Sequence, residues 1–396
     1  MSGAFARVRA VTQMNLRTIP LRWGSSMVIV IGVAGTMAVL LSVLAVSSGL
    51  RQAMQEAGRP DRAIVLRSGS AAELGSSLSR SAVRAIESSA GVRRNSRGTA
   101  LVSPESMSQI SVVDKRSGSD VNVTLRGLVA TGFEVRPEIN VIEGRRPNRG
   151  LAELIVGRAA REQFGGLSIG DTLETNGLTW TIVGVFESGG NGRESELIGD
   201  AELLIPRQSG AFQSALVMLQ SATSLAEFET ALTSDPTLAV DVYGESQYLA
   251  RQSASVQRLL FFMAYVVGGI MAIGAVFAAI NSMYTSVSTR TREIAILRAI
   301  GFGGRSDMTS VLVEALVLAV TGCIVGTLLA WLVFSGDTIS TAVGTGLPSQ
   351  MVFRMTLTWK LFAVGLALSC LIALVGALLP ALRAAHLPVT EALRSL

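Results

Sequence analysis

The chain has 396 residues, of which 49% are hydrophobic and only 16% charged, and its mean hydropathy is +0.47. Soluble proteins average about 25% charged residues; here the deficit is concentrated in four long uncharged stretches, which excludes a wholly water-soluble protein. The net charge of +5 and pI near 9.7 suit nucleic acid or anionic lipid, but the arginines flank the apolar stretches and no aromatic-interleaved basic stripe occurs, so the sequence points to membrane lipid and to no nucleic acid.

Residues 1–24 read as a basic leader, with Arg7, Arg9, Arg17 and Arg22 and no acid. A first span is expected over 25–48, charge-free from Met27 to Val46. That run exceeds the ~7–15 apolar residues of a cleavable signal, so an uncleaved anchor is expected.

Residues 49–258 read as a water-facing domain of mixed α/β type. Strands are predicted at 62–67, 97–102, 109–113, 122–129, 153–156, 178–186, 202–205, 215–219 and 238–242. Helices are predicted at 80–89, 158–164 and 225–233. The strand–helix–strand order at about 62–102 recurs at about 215–242, with a strand-rich segment between. That order predicts a split βαβ pair with a β-rich insert, hence two lobes. After Tyr243 the chain turns polar and helical and runs unbroken into the next span as a stalk.

The second span is expected over 259–285, the third over 308–334 and the fourth over 359–380, each long enough to cross a bilayer at about 20 residues. The fold class is therefore an α-helical membrane protein with four transmembrane helices and a two-lobed α/β extracytoplasmic domain. Arg290, Arg292, Arg298 and Arg305 lie between the second and third spans, and Arg383 and Arg394 lie in the tail, 381–396. With the leader they place both termini and the 286–307 loop in the cytoplasm. The 49–258 domain and the 335–358 loop fall outside.

Small residues recur in the spans: Gly32, Gly35, Gly268, Gly269, Gly274, Gly365, Gly376 and a GxxxG formed by Gly322 and Gly326. They serve close helix packing within the chain or a seam with a second chain. Cys323 and Cys370 both sit in spans and read as small packing residues; with His386 as the one histidine, no metal site is expected. No GxxxxGK[ST], GxSxG or HExxH occurs, so no catalytic residue and no enzymatic activity is expected of this chain.

In the 286–307 loop, TRTREIAILRAIGFGG places Ile294, Leu297 and Ile300 on one stripe, with Arg290, Arg292, Glu293 and Arg298 mainly off it. Gly301 and its neighbours end this amphipathic helix, which either lies on lipid or docks a soluble partner. Glu314, in the first turns of the third span, is a functional candidate; a structural pairing with an arginine such as Arg305 is the favoured reading.

These residues carry a family likeness. Arg290, Arg292, Glu293, Ile294, Leu297, Arg298, Ala299 and Gly301, then Glu314, Gly322 and Gly326, resemble the signature of ABC-transporter permeases of the MacB, lipoprotein-release and cell-division superfamily (type VII). The closing LPALRAAHLPVTEALRSL, the opening MNLRTIPLRWGSSMVIVIGVAG and the IEGRR…GVFES stretch of the external domain resemble the same group. The resemblance implies a coupling helix at about 289–300 that contacts an ABC ATPase. Only 24 or so residues precede the first span, so the ATPase is expected in trans, with ATP and Mg on that subunit and no cofactor bound here. It further implies pairing with a second permease, identical or sister, in the bacterial inner membrane. A periplasmic adaptor or outer-membrane factor is a further implied partner.

The function implied is export or efflux of a substrate from the periplasmic side. The alternative is a non-transporting mechanotransmission permease that regulates an extracytoplasmic partner such as a cell-wall hydrolase.

Overall fold

A computed structural model describes residues 23–175, 177–205, 210–235, 237–299, 303–334, 338–343, 349–355 and 358–386. In chain order they form helix α1 (Trp23–Ala57), strand β1 (Arg62–Arg67), α2 (Arg80–Ser88), β2 (Val102–Val113), β3 (Asp120–Leu128), α3 (Gly132–Val135) and β4 (Asn140–Gly144). There follow β5 (Glu153–Gly157), α4 (Arg158–Gln163), β6 (Thr172–Thr175), β7 (Leu178–Glu187), β8 (Leu197–Asp200), α5 (Ala201–Leu204), β9 (Ser214–Met218), α6 (Leu225–Thr233) and β10 (Val240–Gly244). The chain ends with α7 (Glu245–Thr289), α8 (Thr291–Ala299), α9 (Gly304–Phe334), the hairpin β11 (Thr338–Val343) and β12 (Ser349–Arg354), and α10 (Trp359–His386). Two compact units result: residues 1–47, 259–335 and 356–396, and residues 48–258 with 336–355.

The first unit holds the four helices long and apolar enough to cross a membrane. Its core is built on α1, whose Val33, Met37 and Leu41 have no exposure, against Ala279 of α7, Ala319 and Cys323 of α9, and Ala377 and Ala381 of α10. Alanine and glycine dominate because lipid offers apolar side chains no gain over a neighbouring helix, so close backbone approach supplies the attraction. A Cβ on Gly326 would lie 2.4 Å from the Ala34 carbonyl oxygen, and one on Gly322 would lie 2.9 Å from Val33 Cβ. The GxxxG of the third span therefore packs within the chain, on α1.

The second unit contains one continuous sheet in the order β10-β1-β9-β2-β3-β8-β5-β7-β4, with β6 on β7. Its first four strands are antiparallel throughout and are joined as β1-α2-β2 and β9-α6-β10, which is the split βαβ arrangement expected from the sequence. Ser79 caps α2 by accepting from the Ala82 amide, and α2 and α6 bury Ile86, Phe228 and Leu232 on the sheet. The insert builds the second lobe around Leu125, Leu154, Phe164, Trp180 and Leu197. β2 belongs to both lobes, since its start pairs with β9 and its remainder with β3.

Two local expectations are corrected. Residues 202–204 fall in helix α5 and Ile205 caps it, rather than forming a strand, because the Asp200 carboxylate accepts from the Glu202 amide and starts a turn. Residues 97–101 precede the strand: the Asn95 side chain accepts from the Arg97 and Thr99 amides, and Gly98 takes φ 80°, which closes a tight turn before β2. The short strands β4, β6 and β8 were absent from the sequence reading. The 335–358 loop, expected only to be external, contributes the β11–β12 hairpin, and its Val352 is 2% exposed within the second lobe's core.

Candidate coupling sites

The short helix α8 follows α7 after a one-residue break at Arg290. Ile294 and Ala295 face inward and are buried, whereas Arg292, Glu293 and Ile296 are exposed. Residues three and four apart share a helix face, so Arg292, Glu293 and Ile296 form one outward patch of two charges and an apolar side chain. The side chains of Leu297, Arg298 and Ala299 and the whole of Ile300 and Gly301 lie outside the described residues, so the rest of the expected stripe carries no contact here.

Arg290 itself points inward. Its guanidinium is 4% exposed and donates to Glu314 Oε2 at 2.9 Å; Ser286 also hydrogen-bonds that carboxylate. The partner of the intramembrane acid is therefore Arg290 and not Arg305, which is exposed. Position 290 is the hinge between α7 and α8, so this ion pair fixes the root of α8 to the third span. His386 is hydrogen-bonded to the Leu382 carbonyl one turn earlier in its own helix, and no cluster of three metal-ligating side chains occurs among the described residues.

A second centre, which the sequence reading did not assemble, lies in the external unit. Glu245, the first residue of α7, is 1% exposed. Its carboxylate receives Arg193 at 2.8 Å, Arg136 at 3.3 Å, Arg62 at 2.7 Å and the Arg59 amide at 3.0 Å. Arg136 also grips Glu105 with two donors at 3.0 Å. Arg126 continues the chain to Glu105 at 2.6 Å, Glu73 at 2.9 Å and Glu196 at 2.8 Å.

The network thus spans β1, β2, β3, α3, the 192–195 turn and the start of α7. Burial would push the Glu105 carboxyl upward, but Arg136 and Arg126 overcome it and hold its pKa at about 2. Burial opposes ionisation of Glu245 too, and Arg193, Arg136 and Arg62 outweigh it, so its pKa is lowered. A buried network in which every guanidinium and carboxylate has an opposite charge beside it favours one geometry, because rearrangement would leave a charge unpaired in a low-dielectric interior.

The hairpin makes a third contact. The Val352 amide donates to Ser195 Oγ at 2.7 Å, and Ser195 Oγ lies 3.2 Å from the Val352 carbonyl. A Cβ on Gly192 would lie 2.5 Å from the end of the Met351 side chain. The stretch that links α9 to α10 is thereby seated on the turn that also supplies Arg193.

Residues 26–235 match the family model described as the MacB-like periplasmic core domain, and residues 265–389 match the FtsX-like permease C-terminal domain. The macrolide export ATP-binding/permease protein MacB of Bdellovibrio bacteriovorus is 26% identical over 414 aligned residues, covering 94% of this chain and 59% of that protein. The chain therefore spans less than two thirds of that relative's length. The uncharacterized ABC transporter permease YknZ of Bacillus subtilis is 31% identical over 145 residues, covering 36% of this chain and 34% of that protein. Among solved structures, the extracellular domain of the noncanonic ABC-type transporter YknZ from Gram-positive bacteria aligns at 16% identity with a TM-score of 0.35, covering 46% of this chain and 99% of that one. The periplasmic region of MacB from Actinobacillus actinomycetemcomitans aligns at 14% identity with the same TM-score of 0.35, covering 47% and 90%.

Proposed function

Because this chain belongs to the MacB/FtsX family of ABC transporter permeases, we propose that it converts ATP hydrolysis by a separate ATPase subunit into movement of its external domain. Family membership implies the ATPase partner. In this reading the termini and α8 are cytoplasmic, ATP and Mg are held by the partner, and two permeases pair in the cytoplasmic membrane.

The observation that carries the reading is the two-faced α8. Its buried face and the Arg290–Glu314 pair root it in the spans, while Arg292, Glu293 and Ile296 stand outward as a patch for a soluble partner. On sequence grounds Leu297, Arg298, Ala299 and Gly301 are assigned to the same contact with the ATPase. From the hinge at Arg290, α7 runs as one helix of 45 residues to Glu245, roughly 67 Å at 1.5 Å per residue. In this reading the continuity of α7 carries the motion of α8 to the external domain. In this reading the motion serves export or efflux of a substrate from the external side.

The test uses the full chain in nanodiscs with the ATPase that co-purifies with it. Glu293→Arg and Arg298→Glu should each lower permease-stimulated ATP hydrolysis roughly tenfold, because like charges across a docked interface cost several kcal/mol. Unchanged stimulation in both variants would overturn the assignment of α8.

A further inference from the structure

A cavity of about 230 Å³ opens in the external unit, lined by none of the side chains of the buried charge network, where the 145–150 loop meets α3 and the end of β8. Its floor is apolar, formed by Leu128, Phe133 and Pro147. Arg146 and Arg149 line it, and Asp200 is the one acid in the lining. Both Asp200 oxygens are engaged by backbone amides, Oδ1 by Glu202 at 3.0 Å and Oδ2 by Gly150 at 2.6 Å.

The two guanidiniums differ from Arg62, Arg126, Arg136, Arg145 and Arg193, each of which is paired with a carboxylate. Arg146 lies over the Phe133 ring at 4.8 Å from its centroid, and among the described residues neither it nor Arg149 has a carboxylate in ion-pair range. Glu202, which feels the charge of Arg149 through space, is taken by Arg80 through two bonds of 2.9 and 2.5 Å. The ring attracts the Arg146 guanidinium without using its N–H groups, which are the donors an anion needs.

The loop is also pre-set. Arg145 forks onto Glu153 with both bonds at 2.6 Å, the Asn148 amide donates to the same carboxylate at 2.9 Å, and Gly150 adopts φ 75°. Binding here would order little backbone, and that lowers the entropic cost of association.

We propose that this cleft binds a small soluble organic anion, with its oxyanion held by Arg146 and Arg149 and its apolar body on Leu128, Phe133 and Pro147. Planar guanidinium forks match carboxylate and related oxyanions in shape and charge, and a mostly apolar concave site with a few convergent polar groups suits a small ligand. The site is independent of the coupling helix, so binding alone reads it.

The probe is 2-naphthoate, titrated calorimetrically into the full chain in nanodiscs of zwitterionic lipid, with empty nanodiscs subtracted. Saturable binding is expected, weakened roughly tenfold in R146Q/R149Q, with 2-naphthamide and inorganic phosphate each weaker than 2-naphthoate by a similar factor. An unchanged thermal midpoint in R146Q/R149Q checks that the exposed substitutions leave the fold intact. Equal affinity in the variant, equal affinity for the neutral amide or for phosphate, or no saturable signal above empty nanodiscs would each overturn the site.

Discussion

Arg62 Nε lies 2.7 Å from Glu245 Oε2, so the first residue of β1 is bound to the first residue of α7. β1 is the first strand after α1 and α7 continues into the second span, so these residues stand near in sequence to where the chain first enters the domain and first leaves it. With Arg136 and Arg193 on the same carboxylate, entry and exit are locked to both lobes. Glu245→Ala would leave Arg62, Arg136 and Arg193 with one carboxylate each, Glu138, Glu105 and Glu196, and removing one partner from a buried ionic cluster costs up to about 3–5 kcal/mol. Hydrogen exchange should show lost protection in β1 and the first turns of α7. The double substitution Arg62→Met with Glu245→Met should recover part of it, since it removes one of the three guanidiniums that lose a partner and fills its place with an apolar side chain. Native protection in Glu245→Ala would mean the network is not what joins these segments.

The same network makes the domain acid-sensitive. Glu105 titrates at about 2 when folded against an ordinary 4.5, and Glu196 and Glu245 are shifted in the same direction. A lowered folded pKa gives stability that is present above the unfolded pKa and lost as pH falls through the folded one. The window therefore runs from about pH 4.5 down to about pH 2, and Glu105 alone accounts for on the order of 3 kcal/mol across it. The urea midpoint should fall steeply in that window for the native chain and less steeply for Glu105→Gln. A flat native profile would contradict the assignment.

How much of this was legible beforehand follows from how local each signal is. The spans, the stalk and the repeated strand–helix–strand order depend on runs of ten or more residues, and each was readable. The two-faced α8 was legible from Ile294 against Arg292 and Glu293. The charge network was not, because Arg62, Glu105, Arg126, Arg136, Arg193 and Glu245 are scattered over most of the domain, and only the fold brings them together. One clue existed: Arg126 is the one charge in the Val121–Val129 run, between Leu125 and Leu128. A charge at such a position must either face water or find a buried partner. The arginine facing Glu314 was misassigned for a related reason, since Arg290 and Arg305 are both close in sequence and only the inward turn at the α7–α8 break selects Arg290.

The hairpin offers a separate test of how the α9–α10 connection is held. Ser195→Ala leaves the buried Val352 amide without its acceptor, and an orphaned buried donor costs about 1–3 kcal/mol. Amide exchange at Val352 should accelerate while β1 and β9 keep their protection. Ser195→Thr, which retains the hydroxyl, should restore most of the protection. Equal exchange in Ser195→Ala and the native chain would show that apolar burial of Val352, and not the hydroxyl, seats the strand.

The glycines of the spans separate packing inside the chain from packing beyond it. At Gly326 an added Cβ meets the Ala34 carbonyl oxygen at 2.4 Å and the Ala34 Cα at 3.0 Å, which are backbone atoms that cannot turn aside. Gly326→Ala must therefore push α9 off α1, and the thermal midpoint of the purified chain should drop. At Gly269 and Gly274 on α7 an added Cβ meets nothing within 4 Å. Alanine at either site removes a helix-weakening residue worth about 1 kcal/mol, so Gly269→Ala and Gly274→Ala should keep or raise the midpoint of the isolated chain. The proposed pairing of two permeases gives these positions a second reading. If α7 faces the other permease there, bulk at Gly269 should weaken the paired state, as seen by mass photometry, without lowering the midpoint of the single chain. Should Gly269→Ala instead destabilise the single chain as strongly as Gly326→Ala, the packing of α7 against its own neighbours would have to differ from the arrangement described here.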